Sequence, residues 1–274
     1  MNALGIEGYR NYLARRDGEA DLLHRRLASR EEFFDGLVAD PVRSRRPIDR
    51  DVFARNLRRR RPEPGLNREM LFLLATAKLN QAERFGVGLG ETYGRNSGDD
   101  APPERVYIEL EEHYHTRLLA YVLDMFDLPF QVVPPPLVMR QFVKINVFIP
   151  ERIAFAFVGA GEMAGCILFD ELRRVGVELF ADEPDVAGRI EQLYSEILTD
   201  EVGHVGYCAA RCTSPERAVM RWLYPRFGRL FARQTAEISL LIDPKMLHAR
   251  LDEPFDVDQL TAGLPHEAFL AAHP

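Results

Sequence analysis

The sequence predicts an all-α protein, a four-helix bundle with further helical segments at both ends. Three observations carry this: apolar residues recur at helical spacing over long stretches, no strand alternation of useful length occurs, and a proline-rich crossover separates two helix pairs. Residues 1–66 read as an Arg-rich arm, irregular or built of short helices and punctuated by proline, and residues 67–274 as the bundle with a fifth helix and a tail.

The first bundle helix starts after Asn67, a suitable N-cap, and is expected to stop at Gly86, where "GVGLGETYGRNSGDDAPP" reads as a loop. The second runs from Pro103 to about Phe126, ahead of Pro129. The segment "LPFQVVPPPLVMRQ" holds three consecutive prolines and is expected to be extended and stiff. A third helix starts near Pro150 and is expected to end about Val175, before Gly176. The fourth starts near Pro184. The fifth begins at "TSPE", where Thr213 and Glu216 have capping-box spacing, and continues to about Ile242.

Hydrophobic residues make up 46% of the 274, enough for a packed core. A net charge of −7 and a pI of about 5.6 argue against nucleic acid as a partner, and the run Arg58 to Arg61 reads as a solvated patch. Cys166, Cys208 and Cys212 form no CxxC pair, which fits neither a disulfide framework nor a zinc ribbon, so a reducing cytoplasm is the expected location. No apolar leader opens the chain. The run Ile153 to Phe169 is shorter than the roughly 20 residues of a membrane span and contains Glu162, so it reads as a core helix and no membrane partner is expected.

Several ionisable residues sit on faces that should be apolar. In "ILTDEVGHVGY", Glu201 and His204 align with Tyr194, Ile197 and Cys208; on the second helix Glu112 and His115, with the same spacing, align with Ile108, Leu119 and Val122. Glu162 is the charged residue of the third helix's apolar run, among small residues expected to leave room beside it. Glu83 shares a face with Phe72, Thr76 and Leu79. Buried carboxylates and imidazoles need partners or a cation, and four carboxylates with two imidazoles suit two adjacent divalent metals, iron first and manganese second. Glu171 competes with Glu162, having a similar distance to Glu201 as Glu83 has to Glu112; Asp170, Arg173 and Arg174 beside it suggest a solvated face. Glu91 competes with Glu83 but falls in the expected glycine-rich loop. His113 and Glu109 are expected at the bundle edge, and Cys208 in the core.

The order Glu83, Glu112 with His115, Glu162, Glu201 with His204 resembles the ferritin-like diiron carboxylate superfamily over about Asn67 to Cys212, and its oxygenase-like branch in particular. The resemblance implies that these six residues are at once the metal ligands and the residues at the reacting centre. The acidic residue before each ligand Glu is similar to ribonucleotide reductase small subunits and bacterial diiron oxygenases. By that likeness Asp200 orients His115, and Glu111 orients His204. Where some arylamine N-oxygenases have a further histidine, this chain has Ile197.

What the resemblance implies is a non-haem diiron oxygenase with dioxygen as co-substrate, hydroxylating or N-oxygenating a small organic molecule with electrons from an external donor. The alternative is a metal-handling or peroxide-protective protein, a ferroxidase or a dimanganese catalase. A homodimer is among the open states of assembly.

Overall fold

The computed structural model describes residues 22–94, 103–128, 137, 141, 151–256 and 260, and everything described is helix, turn or irregular chain. In chain order the helices are α1 (Leu22–Ala39), α2 (Arg50–Leu57), α3 (Arg68–Gly94), α4 (Pro103–Asp124), α5 (Glu151–Leu179), α6 (Pro184–Arg211), α7 (Ser214–Gln234), α8 (Ala236–Leu241) and α9 (Pro244–Asp252). Of the crossover at 128–141, Leu128, Leu137 and Gln141 are described. The last two are helical, against the expected extended chain. The tail beyond residue 260 lies outside the described residues.

The helix starts follow local chemistry. Asn67 Oδ1 accepts from the Met70 N–H at 2.9 Å, Asp49 Oδ1 accepts from Asp51 and Val52 at 2.9 Å, and Asp243 Oδ1 accepts from Lys245 at 2.8 Å, each satisfying first-turn donors with no partner in the helix. Glu216 accepts from the Thr213 N–H at 2.6 Å and its hydroxyl at 2.7 Å, the expected half of a capping box. Pro184 stands at the start of α6.

The helix ends depart from expectation, and at Gly176 tertiary packing is the reason. The fifth helix breaks at Thr235 into α7 and α8 rather than running to Ile242. Helix α3 continues to Gly94, so Glu91 lies in helix and not in a loop. Helix α5 runs through Gly176 to Leu179. A Cβ at Gly176 would lie 2.8 Å from Ile190 of α6 and 2.8 Å from the Phe72 ring of α3, so the glycine marks a close approach inside a helix and not a helix end.

The four long helices close a ring in which α3 packs on α4, α4 on α6, α6 on α5, and α5 on α3. Helix α7 lies along α5, α8 fills the seam beside α3, and α9 braces α7. Phe72, Phe126, Phe180 and Tyr194 fill one end, with ring centroids 4.9 to 6.2 Å apart. Each such ring, taken fully out of water, contributes roughly 2–3 kcal/mol. By length and composition α5 is, among the described residues, the helix that would suffice to cross a membrane. Over half of its apolar window is buried in the bundle, and it carries Glu162, the pattern of a core helix.

The amino-terminal arm is more regular than its composition suggests. Helix α1 has 18 residues and lays Phe34 against Tyr114 and Tyr121 of α4, both at 5.7 Å. The chain then straps across the bundle end, where Glu183 accepts from Ser44 Oγ at 3.1 Å and the Arg45 N–H at 2.8 Å. Arg58 to Arg61 are exposed, as a solvated patch requires. Replacing Gly176 with Ala should destabilise the fold by about 1–3 kcal/mol through overpacking against Phe72 and Ile190. Urea unfolding measures this, and an unchanged midpoint would contradict the close approach.

Candidate metal centre

Four helices each aim ionisable side chains at the bundle axis. Residues three apart on a helix share a face, so the Glu–x–x–His spacing of α4 and α6 presents Glu112 with His115 and Glu201 with His204 together. Helix α3 adds Glu83 and α5 adds Glu162. The six fall into two overlapping sets, Glu83, Glu112, His115 and Glu201, and Glu112, Glu162, Glu201 and His204, each with one ligand atom per residue and all of these within 4.8 Å of one another. Glu112 and Glu201 belong to both sets, as carboxylates shared between two cations would.

The arrangement on α4 is repeated in exchange on α6. His115 Nδ1 faces Glu201 Oε1 at 3.2 Å and its Nε2 faces Asp200 Oδ2 at 3.4 Å. His204 Nδ1 faces Glu112 Oε1 at 3.1 Å and its Nε2 faces Glu111 Oε2 at 3.2 Å. Each imidazole thus points one nitrogen at the ligand Glu of the other helix and the other at the acid preceding that Glu. A carboxylate facing Nε2 favours a proton there, so that loss of the other proton would leave the Nδ1 lone pair on the cluster side. The rings lie 5.5 Å apart.

Burial is deepest at α6. Asp200, Glu201 and His204 are buried, as are Glu111 and His115, while Glu83, Glu112 and Glu162 are half-buried. Both ring nitrogens of His115, His204 Nδ1 and Glu201 Oε2 are buried without a hydrogen bond, whereas His204 Nε2 is hydrogen-bonded to Glu111. An unsatisfied buried polar atom costs about 1–3 kcal/mol, which a coordinated cation at this position would offset. The donor set, carboxylate oxygen with imidazole nitrogen and no thiolate, suits first-row divalent metals.

The protonation of the metal-free cluster follows from crowding. Burial pushes Glu83 well above the usual carboxylate range, and the charges of Glu112 and Glu201 push it further. Glu162 is raised by burial and then by Glu201 and Glu112. Burial opposes charge on His115, yet Asp200 and Glu201 hold it at about 10. Burial likewise opposes charge on His204, which Glu111 and Glu112 lift well above its ordinary value. Burial alone would raise Glu112, but the imidazoles of His204 and His115 beside it bring it to about 2. Protons on the two imidazoles, Glu83 and Glu162 therefore stand in for cations, and metal binding must release them.

The competing assignments separate. Glu171 is not in the cluster; it pairs with Arg250 of α9 and with Arg174 at 3.4 Å. Its neighbour Asp170 is buried and paired with Arg173 at 2.7 Å and with Arg250, so this is an ion-pair network and not a solvated face. The side chain of Glu91 lies outside the described residues. His113 and Glu109 are exposed. Cys166 is driven well above the ordinary thiol range by burial and by Glu201 and Glu162, and Cys208 by burial and Glu162, so both remain neutral core thiols. The Tyr194 hydroxyl is paired with Thr76 Oγ1 at 2.8 Å.

Room beside Glu162 is narrower than expected. A Cβ at Gly159 would meet Cys208 and Met220 at 2.8 Å, so that glycine serves packing. A Cβ at Gly161 meets nothing, and one at Gly165 would lie 3.9 Å from Glu201 Oε2. Arg30 of α1 and Glu196 of α6 are the residues around the cluster that sequence reasoning missed; Arg30 bonds Glu196 and Asp200 at 2.7 Å each. Nothing local in "LASREEFF" marks Arg30, because its partners lie far along the chain.

No protein-family model matches the chain, and no curated protein and no solved structure matches it significantly.

In the metal-free protein His115 holds its proton to about pH 10, against an ordinary value of 6.5. Its contribution to stability is full below about 6.5 and is lost as pH rises toward 10. His204 acts with the same sign, and so do Glu83 and Glu162, whose ionisation the fold disfavours. Glu112, already ionised in both states, contributes a constant there. Thermal unfolding in chelator should show Tm falling between pH 6.5 and 10, with His115→Asn flattening the decline. A Tm that is flat or rises over that window contradicts these protonation states.

Proposed function

We propose that the cluster is a two-metal centre with iron as its resident metal, in an oxygenase that uses dioxygen to hydroxylate or N-oxygenate a small organic substrate. The observation that carries this reading is the pair of overlapping ligand sets sharing Glu112 and Glu201. Four carboxylates offset the charge of two divalent cations, so the filled ligand set itself carries no net charge. The ring of two helix pairs around these ligands supports a ferritin-like assignment.

A reduced pair of irons, when bound, supplies the electrons for dioxygen activation that no side chain of the protein offers. The chain's own residues hold and insulate. Glu83, Glu112, His115, Glu162, Glu201 and His204 hold the metals, and Asp200 and Glu111 keep both imidazoles in the coordinating tautomer. Phe169, Ile197 and Leu119 are buried apolar residues of the ligand-bearing helices, and packing of this kind keeps water from the bundle interior. The open position at Gly161, adjacent in sequence to Glu162 on α5, marks the side from which a small substrate would approach the centre. The reading calls for an electron donor; the sequence has no CxxC pair for a built-in rubredoxin-type iron.

Elemental analysis after iron-supplemented expression should find about two irons per chain in wild type and none in Glu112→Ala with Glu201→Ala. Reduced protein should then consume oxygen in proportion to an added organic substrate. Oxygen uptake that depends only on added ferrous ion indicates a ferroxidase, and manganese retention with peroxide disproportionation indicates a catalase. The absence of metal from wild type after anaerobic iron addition refutes the centre.

A further inference from the structure

One buried cation stands against the outer shell of the cluster, and it comes from outside the four bundle helices. Arg30 of α1 is 1% exposed. Its guanidinium forks onto two acids one turn apart on α6, Nη1 to Glu196 Oε2 and Nη2 to Asp200 Oδ2, both at 2.7 Å. The same Asp200 oxygen lies 3.4 Å from His115 Nε2. The Phe33 and Tyr114 rings flank the guanidinium at 5.7 and 5.5 Å.

We infer that α1 is a clamp on the metal centre, in which Arg30 is a positioning residue that fixes Asp200 and, through it, the ring of His115. The inference rests on the two-metal reading. Removing a guanidinium from water is costly, and an anchor for α1 needs only one carboxylate partner, which Glu196 supplies. The second arm of the fork goes instead to the acid that faces a ligand imidazole. The guanidinium holds the Asp200 carboxylate at 2.7 Å with the same oxygen facing His115 Nε2 at 3.4 Å, so the His115 ring keeps its Nδ1 toward the cluster while α1 is docked. Without the guanidinium, Asp200 loses its tie to α1 and the brace on His115 is weakened.

Such a connection is reciprocal. If docking of α1 favours the metal on the His115 side, metal there favours docking of α1 by the same factor. The arm therefore completes the site rather than decorating it, and a chain lacking α1 would hold one of its two metals poorly.

The test uses the full chain, made metal-free and titrated anaerobically with Co(II) against a competing chelator. Its readouts are stoichiometry, the two affinities and the visible spectrum. Arg30→Lys keeps the charge but cannot fork onto two acids. Glu196→Gln leaves the Arg30–Asp200–His115 connection in place and tests anchoring alone. Arg30→Met with Glu196→Gln removes one charge of each sign, and serves if Arg30→Lys does not fold by circular dichroism.

Wild type is expected to bind about two Co(II) per chain. Arg30→Lys should bind one as wild type does and the other about 10- to 100-fold more weakly, with an altered spectrum. Glu196→Gln should keep both affinities. Metal should slow proteolysis within α1 in wild type and not in Arg30→Lys. Wild-type affinities and spectrum in a folded Arg30 variant would overturn the clamp and leave the two-metal centre standing. Absence of Co(II) binding in wild type would remove both.

Discussion

Packing four carboxylates and two imidazoles along one bundle axis is costly unless their charges are balanced within a few ångströms, and the rest of this structure is arranged around that balance. The balance is struck across α4 and α6, where each histidine reaches to the other helix's Glu and to the acid before it. Because the two helices exchange the same contacts, neither can rotate or slide by a residue without stranding a buried charge. The cluster therefore sets the register of the bundle as well as its chemistry. In the metal-free protein protons do the balancing, which is why groups so close together have values pushed apart, Glu112 to about 2 and His115 to about 10.

Around this axis the apolar core works as a mould. Leu118, Leu119 and Val122 of α4, with Ile197 and Leu198 of α6, are buried and place the ionisable residues at fixed depth. The glycines of α5 divide between two tasks: Gly159 and Gly176 allow close helix approach, whereas Gly161 and Gly165 leave space near Glu162 and Glu201. The first pair brings together the helices that carry the clustered residues. Close packing and open positions thus alternate along one helix, because successive glycines face different neighbours.

Residues before the bundle take part in this economy. The strap from Asp40 to Asp49 ties α4 and the start of α6 together through the Arg43–Asp124 pair at 2.7 Å and the Glu183 carboxylate. Helix α1 carries Arg30 into the layer behind His115. Asp200 therefore faces two ways: it is an ion-pair partner for Arg30 of the arm and lies against His115 of the cluster, so neither contact is altered alone.

The residue types and spacings by themselves determined the helical class, the helix starts at Asn67, Pro103, Pro184 and Thr213, and the six residues converging on the axis. Capping is local chemistry, and a carboxylate within an apolar stripe is legible wherever helical periodicity is. The preference for Glu162 over Glu171 also followed from helix length, since Glu171 lies too near the end of α5 to reach the level of Glu201. Only the tertiary structure decided where α3 and α5 end, what Gly176 is for, and that Asp170 and Glu171 are paired with Arg250 of α9. Arg30 was invisible for the same reason. A glycine reads as a terminus and an arginine as a surface residue until the helix beside it is known, because burial and close approach belong to pairs of elements distant in sequence, and no local pattern records them.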